Sequence, residues 1–89
     1  MIERRMLRMP DMTAKTGLRG VTVYKHVRLG ILPKPIKLGE RVSAWLESEV
    51  EMVLSARIAG KTNDEIKLLV SGLMAARTAE TEASEVADV

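Results

Sequence analysis

Three glycines, Gly17, Gly30 and Gly60, each close a stretch of helical apolar spacing, and Leu32-Pro33-Lys34-Pro35 interrupts the chain between the second and third of them. Glycine tolerates the left-handed turn that stops a helix, and each proline pushes its predecessor into extended backbone. A chain of 89 residues cut in this way can make short helices around one small core, and so one domain. With one Trp, one Tyr and no Phe, that core must be aliphatic. The six Met residues read most simply as gap-fillers within it.

The elements follow from this punctuation. Met6-Leu7-Arg8-Met9 can be extended. Pro10-Asp11 opens a first helix, because proline fits the first helical turn and an acid suits the positive N-terminal end. A second helix is predicted from about Gly20 to Leu29. Val23, Val27 and Tyr24 share one face of it, while Arg19, Thr22, Lys25, His26 and Arg28 turn largely to solvent. Two helices joined at a glycine turn read as a helix-turn-helix. Ile36-Lys37-Leu38 and Val42-Ser43-Ala44-Trp45 then flank Gly39-Glu40-Arg41, which predicts a β-hairpin. Ser48-Glu49-Val50-Glu51 has capping-box spacing and is expected to start a third helix bearing Val50, Val53, Leu54, Arg57 and Ile58. Thr62-Asn63-Asp64-Glu65 is a second such box, leading into a fourth helix with Ile66, Leu69, Val70, Leu73 and Met74 in one stripe. The fold class is mainly α with a small β-hairpin, a winged helix-turn-helix followed by a C-terminal amphipathic helix. Its expected divisions are 1–60 for the winged helix-turn-helix, 61–77 for the helix and 78–89 for an acidic, frayed or flexible tail.

Charge separates along the same axis. Residues 1–45 carry a formal +7 and residues 46–89 a formal −5, which the overall +2 conceals. A basic half of this size can attract a polyanion. On the second helix, Arg19 and Lys25 can donate to guanine or phosphate, Thr22 to either, and Arg28 to phosphate. In the hairpin, Lys37 and Arg41 flank the tip of a wing that can lie along the DNA backbone or enter the minor groove. Trp45, where the hairpin meets the third helix, reads as core. His26 has no Cys or second His to join it, so a surface or phosphate-contacting role is expected and no metal. Glu47, Glu49 and Glu51 sit at a helix start, where the dipole favours acids, with no nucleophile beside them. No phosphate-cradling glycine loop is present, and no catalytic residue, cofactor or enzyme activity is expected.

These residues fall into an ordered series. Arg8-Met9-Pro10-Asp11 and Thr16-Gly17-Leu18 lead into Thr22-Val23-Tyr24-Lys25-His26-Val27-Arg28-Leu29-Gly30. Leu32-Pro33-Lys34-Pro35-Ile36-Lys37-Leu38-Gly39 and Trp45-Leu46-Glu47-Ser48-Glu49-Val50 follow. The series, over about residues 7–60, resembles the AlpA family of prophage and genomic-island regulators, which are related to excisionases and to the N-terminal domain of MerR regulators. The resemblance implies a winged helix-turn-helix that binds DNA near mobile-element attachment sites or promoters, as a transcriptional regulator, a recombination directionality factor, or both. Thr22, Tyr24 and Lys25 match its recognition-helix pattern, and Lys37, Gly39 and Arg41 its wing. Arg19-Gly20-Val21 lacks the small polar residue that commonly caps the recognition helix in the family.

The expected partner is therefore double-stranded DNA, with an integrase or RNA polymerase as the protein partner such roles call for. A homo-oligomer through Ile66, Leu69, Val70, Leu73 and Met74 is a further expectation. The alternative function is a small protein-interaction module that binds a partner through the C-terminal helix. No apolar run approaches the roughly 20 residues of a membrane span, and no signal peptide is visible, so a cytoplasmic location is expected.

Overall fold

The computed structural model describes the backbone of residues 4–88 and the side chains of residues 4–78. In chain order the elements are β1 (Met6–Leu7), α1 (Met9–Thr16), α2 (Gly20–Arg28), β2 (Ile36–Lys37), β3 (Ser43–Leu46), α3 (Glu47–Ile58) and α4 (Asn63–Asp88). Four helices thus surround a small antiparallel sheet of order β1-β3-β2.

Local chemistry accounts for most helix ends. The Arg8 N–H donates to the Asp11 carboxylate at 3.1 Å, and Pro10 occupies the first turn of α1. Gly17 closes that helix at φ 73°, its N–H donating to the Thr13 carbonyl. The Thr16 hydroxyl donates to the Met12 carbonyl and accepts from the Leu18 N–H, which fixes the turn into α2. Gly30 and Gly60 also lie at positive φ, as stops after α2 and α3. The second capping box forms in both directions: Thr62 N–H to Glu65 Oε1 at 2.9 Å, and Glu65 N–H to Thr62 Oγ1 at 3.2 Å.

The first box, at Ser48, does not form. Strand β3 runs straight into α3, so Leu46 is the N-cap and Ser48 lies inside the helix. The Glu47 N–H instead donates to the Arg5 carbonyl at 2.9 Å, so backbone just before β1 supplies what a capping side chain would have given.

The hairpin pairs Ile36 with Ala44 and Lys37 with Ser43, and its tip is held by the Leu38 N–H to the Val42 carbonyl. On the other side of β3, Met6 faces Leu46 and Leu7 faces Trp45. This third strand makes β3 the centre of the sheet. The core comprises Leu7, Met12, Val23, Ile31, Leu32, Trp45, Val50, Val53, Ile66 and Val70, aliphatic apart from one indole. The Trp45 Nε1–H donates to the Pro33 carbonyl at 2.9 Å, so its polar edge is satisfied inside. Met12 is a core residue, and Met9 and Met74 pack at its edge, whereas Met52 is half exposed. Met1 lies outside the described residues.

Helix α4 docks antiparallel on α3. Arg57 reaches Asn63 at one end of the pair (2.7 Å), and Glu49 meets Arg77 at the other. Ile66 and Val70 are buried, and Leu69, Leu73 and Met74 pack half-buried against the same core. The stripe expected to mediate self-association thus packs at least in part within the chain, where it adds apolar area that a winged core this small lacks. Ile58 belongs to the predicted apolar face of α3 but is 87% exposed, because α3 ends there and α4 starts too late to cover it. Helix α4 extends past the expected division at residue 77. Its backbone continues helical to Asp88, through a segment rich in alanine, the strongest helix former. Val89 lies outside the described residues.

Candidate nucleic-acid interface

Helical geometry sorts α2 into three sectors. Val23 is fully buried and Val27 packs beside it. Directly opposite, Val21, Lys25 and Arg28 are exposed at i, i+4 and i+7. Arg19 is the exposed N-cap, with no side-chain hydrogen bond at that end. The flanks differ from expectation. Thr22 and His26, expected in solvent, are half-buried, and Tyr24, expected on the core face, is 47% exposed. The reason lies in the neighbours: Tyr24 leans toward the sheet, its ring 6.1 Å from that of Trp45 and tilted 54°.

In the hairpin, Lys37 and Arg41 are exposed on either side of the tip. Tyr24 and Arg41 meet at a concave cavity of about 550 Å³ that is also lined by Arg8, Pro10, Asp11 and Ser43. The structure thus brings one residue of α2 and one of the hairpin to a single wall. Arg19, Thr22, Lys25, Arg28 and Lys37 lie outside that lining.

Some cations of the fold are paired with carboxylates and others are not. Lys15 bridges Glu51 at 3.0 Å and Glu47 at 3.4 Å, and Glu47 also meets Arg5 at 3.4 Å. Buried Glu49 accepts from Arg77, whose Nη2 also donates to the Lys34 carbonyl. The glutamates at the start of α3 are therefore structural ion-pair partners. By contrast, none of Arg19, Lys25, Arg28, Lys37 and Arg41 pairs with an acidic side chain among the described residues. Five cations on α2 and the hairpin keep their charge available to an external anion.

His26 sits on the other flank, against a cavity of about 210 Å³ shared with Leu18, Leu54 and Arg57. Its place toward α3 replaces the expected solvent or phosphate-facing one. Burial, then the charges of Arg57 and Lys25, push its pKa below the ordinary 6.5. The unfolded chain therefore binds the His26 proton at a higher pH than the folded chain does. Stability contributed by neutral His26 is complete above 6.5 and is lost as pH falls through that value toward the lower folded pKa. Thermal unfolding followed between about pH 7.5 and 5.5 should show a falling midpoint that His26→Gln flattens. An unchanged slope in the variant would assign the effect to other groups.

Two interface candidates were missed in the sequence. Arg8 enters the sequence reading as part of an extended stretch and of the AlpA-like series, but not as an interface residue, although it stands in the basic run with Arg4 and Arg5. Val21 is apolar, yet it is 76% exposed on the outer face of α2.

The family model described as "Prophage CP4-57 regulatory protein (AlpA)" matches residues 5–58, well over half of the chain. The chain belongs to the AlpA prophage regulatory family. An "Uncharacterized protein ORF88" of Enterobacteria phage P4 is 39% identical over 59 residues, spanning 66% of this chain and 67% of the relative. No solved structure gives a match. The AlpA match takes in β1, both helices around Gly17, the hairpin and α3, and stops before α4. The helix that completes the core thus lies beyond the matched segment. The family is one of regulators and not of enzymes, and among the described residues no helix is long and apolar enough to cross a membrane.

Proposed function

We propose that this chain is a sequence-specific double-stranded DNA-binding protein of winged helix-turn-helix type. In this reading α2 is the recognition helix and the β2–β3 tip the wing, and the protein serves a mobile element as a transcriptional regulator, a recombination directionality factor (excisionase), or both. The observation that carries the proposal is the set of five exposed cations on α2 and the hairpin with no acidic partners. Phosphates are the anions that such a spread surface fits, and an exposed helix is what the major groove admits. Tyr24 and Arg41 on one cavity wall, with Arg8 beside them, support a contact that runs from helix to wing. Membership in a prophage regulatory family supports the mobile-element setting. RNA polymerase or an integrase is the protein partner that the two roles would require.

The division of labour between helix and wing is testable. Lys37→Ala with Arg41→Ala should weaken binding to all duplexes alike and lower the salt slope by about two. Lys25→Ala should cost about 1–3 kcal/mol on a preferred duplex and less on random DNA. Equal losses for Lys25→Ala on both would reduce α2 to a phosphate contact. An unchanged slope in the double variant would remove the wing from the interface.

A further inference from the structure

The outer face of α2 holds one residue that its charge does not explain. Val21 is 76% exposed in the first turn, with Lys25 and Arg28 following it at i+4 and i+7 along the same line. Val21 belongs to no core cluster. Its β-branched side chain is also a poor choice for an exposed helical site, where alanine or a long polar residue favours the helix more. A lone surface valine is ordinary by itself. Here, however, it stands between the exposed N-cap Arg19 and Lys25, two cations that would draw a duplex onto this turn.

On the reading that α2 enters the major groove, we infer that Val21 is a specificity-determining residue whose isopropyl group packs on the C5 methyl of a thymine. The major groove offers one apolar group among its donors and acceptors, the thymine methyl, and a short branched aliphatic side chain is its natural contact. The first turn of a recognition helix is also the part that comes nearest to base edges. Arg19, Lys25 and Arg28 would then hold the helix by phosphate or guanine contacts, while Val21 reads a T·A pair that none of them can identify.

The test uses the whole chain and a randomised duplex pool. Duplexes enriched by binding are resynthesised with each thymine replaced in turn by deoxyuridine, which keeps the pairing edge and removes only the methyl. The wild-type chain should lose about fourfold in affinity at one thymine, the effect of withdrawing a single buried methyl. Val21→Ala should bind the thymine duplex about fourfold more weakly and show no further loss with deoxyuridine at that position. An exposed valine can be replaced without disturbing the core, and thermal unfolding of the variant verifies this. If the variant keeps the full deoxyuridine penalty, or no thymine shows one, Val21 does not read the methyl. Failure to enrich any duplex, with no salt-sensitive binding to the random pool, would instead overturn DNA binding itself.

Discussion

Trp45→Ala is expected to abolish the folded state. The indole is 1% exposed, donates to the Pro33 carbonyl, faces Leu7 across β3 and lies beside the Tyr24 ring. It is the one large aromatic in an otherwise aliphatic core. Truncating such a residue costs about 3–5 kcal/mol, comparable to the whole stability of a small domain. Far-UV circular dichroism should show no cooperative melt. Trp45→Phe keeps most of the packing and orphans only the Pro33 carbonyl, so it should stay folded with a loss of about 1–3 kcal/mol. A Trp45→Ala protein that melts normally and loses only DNA binding would place the indole in the interface instead.

Arg77→Met is expected to loosen α4 by about 3 kcal/mol or more. The guanidinium of Arg77 meets both oxygens of Glu49 and the Lys34 carbonyl, joining α4 to the start of α3 and to the segment before β2. Glu49 is 5% exposed, so removing Arg77 leaves a carboxylate out of water without its cation. Replacing both partners, Glu49→Leu with Arg77→Met, should recover most of the loss, because two apolar groups of similar volume need no such partner. Urea melts of the two single variants and the double variant decide this. If Arg77→Met costs less than about 0.5 kcal/mol, the pair is a surface contact in its energetics and α4 is held mainly by its apolar stripe.

The Glu49–Arg77 pair also marks where sequence information ran out. Gly17, Gly30 and Gly60, the Thr62–Glu65 box and the two apolar runs around Gly39 are local signals, and each appears in the structure where its chemistry places it. Pairings between distant residues leave no such mark. Met6-Leu7 reads as extended, but nothing near it indicates that it will pair with β3, and that pairing brings the Arg5 carbonyl to the start of α3 in place of the cap expected from Ser48. The α4 stripe was legible as apolar but not as to what covers it, since intramolecular docking and self-association need the same spacing. Within the candidate site, the exposure of Lys25, Arg28, Lys37 and Arg41 followed from helical and hairpin periodicity. His26, Thr22 and Tyr24 were misplaced because their exposure depends on α1, α3 and the sheet rather than on α2 alone. Val21 carries no local signal of a contact role, because its apolar side chain has neither charge nor a hydrogen-bonding group.

On the proposed function, the cations of α2 and the hairpin are kept for phosphate. Equilibrium binding of the intact chain to a fluorescent duplex, repeated across a series of salt concentrations, tests it most directly. Five phosphate-neutralising side chains, at about 0.9 released counterions each, predict a log–log slope near −4.5. Binding absent even at low salt, or a slope near zero, would contradict the account.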